Sequence, residues 1–111
     1  MFLQYYVTES TTGNRVNIEI NAATKTDLDA TRNGWQTVWN TDFILDPQKE
    51  KYAAKTEDGE IIALGAYRVR KGSVAVYIAY IESQPESNPT LVEHKKYSGI
   101  GKAMIAFGIQ L

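Results

Sequence analysis

Residues 51–82 constrain the fold of this chain more than any other stretch. Two turn signals, Glu57-Asp58-Gly59-Glu60 and Lys71-Gly72, divide it into three strand-like runs. Turns this short reverse the chain, so the runs are predicted to lie side by side as an antiparallel meander. The runs are Lys51–Thr56, Ile61–Arg70 and Ser73–Glu82. In the second, period-two alternation places Ile62, Leu64 and Ala66 on one face and Ile61, Ala63 and Tyr67 on the other. In the third, both faces are apolar: Val74, Val76, Ile78 and Tyr80 against Ala75, Tyr77, Ala79 and Ile81. A strand of that kind is expected at the centre of a sheet, covered on both sides.

The flanking segments add two strands and two helices. Residues 2–7 are aromatic and β-branched, which predicts a short strand, and Thr11-Thr12-Gly13-Asn14 is turn chemistry. Val16, Ile18 and Ile20 alternate with Asn17, Glu19 and Asn21, a strand with one buried face. Thr24 or Thr26 can cap a helix whose first turn carries Asp27 and Asp29, and Asn33-Gly34 is its stop. Beyond Gly34, a continued helix would align Leu28, Trp35 and Trp39, whereas a strand would put Trp35, Thr37 and Trp39 on one side. A break at Gly34 is favoured, and Asp46-Pro47 ends the segment. Ser83–Ser98, with Pro85 and Pro89, reads as a long loop. From Gly99 a helix is predicted, with Ile100, Ala103, Met104, Phe107 and Leu111 at helical spacing. The sum is one α+β domain, residues 1–111, with a mostly antiparallel sheet flanked by helices.

Composition narrows the chemistry. A chain of 111 residues, 43% hydrophobic, can bury a modest core. With no cysteine, a disulfide framework and a thiolate nucleophile are excluded. The one histidine, His94, argues against a histidine-based metal centre, and no metal site is expected. Twelve basic against thirteen acidic residues leave no basic field for nucleic acid. Met1–Val7 lacks a basic leader, and no apolar run approaches the ~18–20 residues that span a bilayer. The expectation is a cytoplasmic domain without nucleic-acid or membrane partners.

The stretch Lys96-Tyr97-Ser98-Gly99-Ile100-Gly101-Lys102-Ala103-Met104 is where ligand chemistry is readable. Small residues let backbone N–H groups approach an anion, and a helix N-terminus follows, which is what a phosphate needs. An ordinary loop-to-helix turn would use the same two glycines.

With this loop following a meander, the chain resembles the Gcn5-related N-acetyltransferase superfamily of acyl-CoA N-acyltransferases, from about Val16 to Leu111. The family's loop signature is Gln or Arg, two residues, Gly, one residue, then Gly or Ala. Here Lys96 stands in the first place, followed by Gly99 and Gly101 in theirs. The resemblance implies acetyl-CoA as cosubstrate. Its pyrophosphate would sit on the backbone N–H groups of Tyr97, Ser98, Gly99, Ile100, Gly101, Lys102 and Ala103, with the Lys96 and Lys102 side chains adding positive charge nearby. Its pantetheine arm would pair, like an added strand, with Ala79, Ile81 and Ser83. It also implies direct attack of a primary amine on the thioester, with Glu82 as the candidate base. Partial desolvation at the strand end would raise the Glu82 pKa, while a solvated strand-end charge is the plainer role. The backbone N–H groups near Ile81–Ser83 would meet the thioester carbonyl. Glu86 and Glu93 could attract a cationic amine or simply be solvated. His94 is a base by type but reads as surface. Trp35, Trp39, Tyr67, Tyr77 and Tyr80 could line an acceptor pocket, with core packing the commoner job.

The family continues past this helix with a further strand and helix, so a domain incomplete at its C-terminus is expected. The free side of the 73–82 strand would then pair with a second copy or an N-terminal strand. A non-catalytic module that holds coenzyme A or a protein partner is the alternative function.

Overall fold

The hairpin turns join strands of a single curled sheet, in a computed structural model that describes residues 4–32, 34–37, 39, 49–69 and 76–111. The strands are β1 (Tyr5–Glu9), β2 (Arg15–Ala22), β3 (Glu50–Thr56), β4 (Ile61–Val69), β5 (Val76–Ser83) and the two-residue β6 (Tyr97–Ser98). Their spatial order is β5-β4-β3-β2-β1-β6, and every pairing is antiparallel. The first hairpin closes with Gly13 at φ +74°, its N–H donating to the Glu9 carbonyl at 2.8 Å. The second closes with Gly59 at φ +85°, its N–H donating to the Thr56 carbonyl at 2.9 Å. Both positions need a residue that enters the left-handed region without Cβ strain.

Two β-bulges change the faces that alternation assigns. Ala54 faces Ala63 but Lys55 faces Ile61, so Ile62 is the extra residue in β4. Ile62 therefore joins Ala63 and Tyr67 on one face, and Ile61 packs with Leu64 and Ala66 on the other. In β5, Ala66 faces Tyr80 and Tyr67 faces Ile78, leaving Ala79 unpaired. Val76, Ile78 and Ile81 consequently share a face, while Ala79 and Tyr80 pack on the other. A one-residue insertion flips every side chain beyond it.

The expected central strand is an edge. β5 pairs with β4 and with no other described strand; residues 73–75 lie outside the described residues. Apolar character on both faces reflects cover above and below the sheet. It does not report whether a strand has neighbours along its hydrogen-bonding direction.

Helix α1 (Lys25–Asp29) starts at Thr24, not Thr26. Thr24 Oγ1 accepts from Asp27 N–H at 3.1 Å, and the Asp27 carboxylate accepts from Thr24 N–H at 2.9 Å, a reciprocal cap. A 3₁₀ turn, Ala30–Arg32, follows, and Gly34 sits at φ +92°. Trp35–Thr37 is neither helix nor strand; most of the segment up to Leu45 lies outside the described residues. The predicted loop 83–98 contains a 3₁₀ turn at Pro85–Ser87 and then β6, which pairs Ser98 with Thr8 and Tyr97 with Glu9. Helix α2 (Ile100–Ile109) crosses one face of the sheet and touches β1, β4 and β5. Ile100, Ala103 and Met104 form its core contact with Val7, Ile62 and Tyr67. Leu28, Trp39, Ala53, Leu64 and Ala66 make the second core. No helix among the described residues is long and apolar enough to cross a membrane.

Candidate functional site

The chain leaves β6 and enters α2 through Gly99, at φ +88°, a conformation that glycine adopts without Cβ strain. The first bond of the helix runs from Ala103 N–H to the Gly99 carbonyl at 3.1 Å. The N–H groups of Ile100, Gly101 and Lys102 have no acceptor among the described residues. Such orphan donors carry the positive end of the helix dipole. Gly101 is helical and exposed, and a Cβ built on it would meet nothing within 4 Å. Its own protein therefore does not require glycine there, and glycine in a helix costs about 1 kcal/mol relative to alanine. The bare backbone leaves the turn open, with the exposed Lys102 beside it.

The predicted cradle narrows to this turn. Lys96 N–H donates to the Glu86 carbonyl at 2.9 Å, and Tyr97 N–H to Ser87 Oγ at 3.0 Å. Ser98 lies in the ladder with β1. The Lys96 ammonium is held by Glu60 Oε2 and Oε1 at 3.0 and 3.2 Å, so it is committed to the β3–β4 turn. That leaves Gly99 through Lys102.

The outward edge of β5 has a defined register. Gln84 N–H donates to the Ile62 carbonyl at 2.8 Å. Hydrogen-bonding direction alternates along an antiparallel strand, so Glu82 and Tyr80 turn their main-chain groups toward β4. Ile81 and Ser83 turn theirs outward, and Ala79 is the bulge that begins this segment. Ile81 and Ser83 are two of the three positions expected to meet an added strand; the third, Ala79, is the unpaired bulge.

Glu82 is buried, at 4% exposure, and is encircled by donors. It accepts from Gln36 N–H at 2.7 Å, Thr37 N–H at 3.2 Å and Trp39 Nε1–H at 2.9 Å. Thr37 Oγ1 and Tyr80 OH share a hydrogen bond of 2.8 Å, and Asn88 Nδ2 donates to Gln36 Oε1 at 3.0 Å. The carboxylate thus fastens Gln36, Thr37 and Trp39 to the end of β5, and it is not the solvated charge that a strand end would carry. Glu86, Glu93 and His94 are exposed along the 84–97 segment, with no hydrogen bond to Glu82. Trp39 and Tyr67 are fully buried core residues, whereas Tyr77 is 64% exposed.

One cluster was not anticipated. Glu60 accepts from Gln84 Nε2 at 2.8 Å, from Lys96, and from Tyr97 OH at 3.3 Å. Ser87 Oγ donates to Gln84 Oε1 at 2.9 Å while accepting from Tyr97 N–H. Burial would raise the Glu60 pKa, but the donors Gln84, Lys96 and Tyr97 outweigh it and hold the carboxyl below its ordinary value. Those partners lie 24 to 37 positions along the chain, so no local pattern could announce them.

Two hollows flank these features. A groove of about 430 Å³ runs between β1 and α2 and includes Tyr5, Tyr6, Gly99, Lys102, Ala106 and Gln110. A hollow of about 640 Å³ lies over β2 and carries Glu19 and Glu57, whose charge opposes an anion. No family model, no curated protein and no solved structure matches this chain.

Proposed function

We propose that the chain binds acyl-CoA and transfers its acyl group to a primary amine, as an acetyltransferase-like α+β domain. The observation that carries the reading is the first turn of α2. Three consecutive N–H groups lack acceptors among the described residues, and Gly101 leaves them bare although nothing in the protein crowds it. A pyrophosphate fits such a turn by charge and by donor count. The outward groups of Ile81 and Ser83 supply main-chain partners for the amides of a pantetheine arm. The β1–α2 groove adjoins Gly99 and Lys102, so a bulky anionic ligand has a surface on which to continue. In the reaction the amine nitrogen attacks the thioester carbonyl, the C–S bond breaks, and the amine proton ends on the departing thiolate. Glu82, which stands in β5 between Ile81 and Ser83, serves as the base once its donors release it.

A second reading is favoured by those same donors. A carboxylate that already accepts three hydrogen bonds is suited to holding Gln36, Thr37 and Trp39, which fits a domain that binds coenzyme A without turnover. Calorimetric titration with acetyl-CoA tests the binding both readings share. Wild type should bind, and folded Gly101→Pro, which deletes one donor, should lose at least tenfold in affinity. Equal affinity in the two proteins contradicts the site. Release of free thiol with a panel of primary amines then separates turnover from binding alone.

A further inference from the structure

The two parts of the proposed site belong to distant segments: the β5 edge ends at Ser83, and the anion turn begins at Gly99. Between them run fifteen residues, 84–98, whose own regular structure amounts to one 3₁₀ turn and two residues of strand. Covalent connection through such a segment does not set a distance. A ligand bridging both parts gains from the second contact only when the spacing is already right.

The two ends of the segment are tied by one main-chain bond, Lys96 N–H to the Glu86 carbonyl at 2.9 Å, and by a side-chain cluster gathered on one carboxylate. Gln84, which follows β5 directly, and Lys96 and Tyr97, which precede the turn, all donate to Glu60. Ser87 closes the ring between Gln84 Oε1 and Tyr97 N–H. Glu60 itself is anchored in the β3–β4 turn: its N–H donates to Thr56 Oγ1 at 3.2 Å and its carbonyl accepts from Thr56 N–H at 3.0 Å. Gln84 and Tyr97 are buried, at 3% and 6% exposure, so their polar atoms depend on this cluster rather than on water. We infer that Glu60 is a positioning residue that sets the spacing between the β5 edge and the α2 turn. The inference rests on the coenzyme A reading above. Glu60 touches no ligand atom in that reading; its effect is on the geometry of a ligand that spans both parts.

The consequence is a difference between ligands. Inorganic pyrophosphate engages the turn alone, whereas acetyl-CoA engages turn and edge together. Glu60→Ala should weaken acetyl-CoA about tenfold, the order of a lost charge-assisted hydrogen bond, and leave pyrophosphate affinity within twofold. Gln84→Ala, which cuts the same tie from the β5 side, should reproduce that split. Glu60→Gln, which keeps an acceptor for Gln84 and Tyr97, should restore much of the acetyl-CoA affinity. The affinities are read by calorimetry on variants whose amide spectra are those of a folded chain. Equal losses for both ligands, or none for either, overturn the positioning role while leaving the coenzyme A reading intact. Wild type that binds neither ligand overturns the reading and the inference with it.

Discussion

At the scale of single residues, Tyr67 decides how closely α2 approaches the sheet. Its ring is fully buried, and its hydroxyl donates to the Met104 carbonyl at 2.8 Å inside the helix. Burial raises its pKa, so the phenol stays a donor. Space for the ring comes from two glycines. A Cβ on Gly108 would lie 2.9 Å from Tyr67 Cε1, and one on Gly65 would lie 2.7 Å from Cε2. In an exposed helix, Gly→Ala stabilises by about 1 kcal/mol. Here the sign should reverse: Gly108→Ala should cost about 1–3 kcal/mol by overpacking, measured as a lower urea midpoint. Glu82 offers a second prediction at this scale. Glu82→Ala would strand three donors and should cost about 3 kcal/mol, with a change in Trp39 emission. Unchanged stability would show that the carboxylate fastens nothing.

Among the elements, α1 is too short to be stable on its own propensity and depends on its cap. Burial pushes the Asp27 pKa up, but Thr24 N–H, Lys55 and the Thr24 hydroxyl outweigh it, holding the group below its ordinary 3.8. A carboxyl whose folded pKa is depressed stabilises the fold above its unfolded pKa. That contribution should be complete above about pH 5 and lost as pH falls through 4 and below. Asp27→Asn should flatten this part of the stability–pH curve, and urea melts between pH 2.5 and 6 would show it. In α2, Lys102 is exposed beside the open N–H groups. Lys102→Glu should lower acetyl-CoA affinity about tenfold while moving stability by less than about 0.5 kcal/mol. Affinity that ignores this charge reversal would argue against an anion at the turn.

For the whole molecule, local chemistry was legible and long-range order was not. Strands β3 and β4 could be read because alternation and the Glu57–Glu60 turn act between neighbours. The bulges at Ile62 and Ala79 could not, because each is a property of two paired strands. The edge position of β5 escaped for the same reason: Val76–Ile81 records cover on two faces and nothing about strand order. β6 is two residues long and has no periodicity to detect. At the site, Gly99 and Gly101 stood out because a left-handed turn and a bare helix start are local features. The donors to Glu82 come from residues 43 to 46 positions away, and those to Glu60 from 24 to 37. The curled sheet brings these segments together, with α2 reaching from β1 to β5 across one face. The proposed site joins the α2 turn and the β5 edge around a single ligand. Amide hydrogen exchange with and without acetyl-CoA tests it most directly. New protection is expected at Ile100, Gly101 and Lys102 together with Ile81 and Ser83, at one saturating concentration. Protection at neither segment, or only over β2 around Glu19 and Glu57, would contradict it.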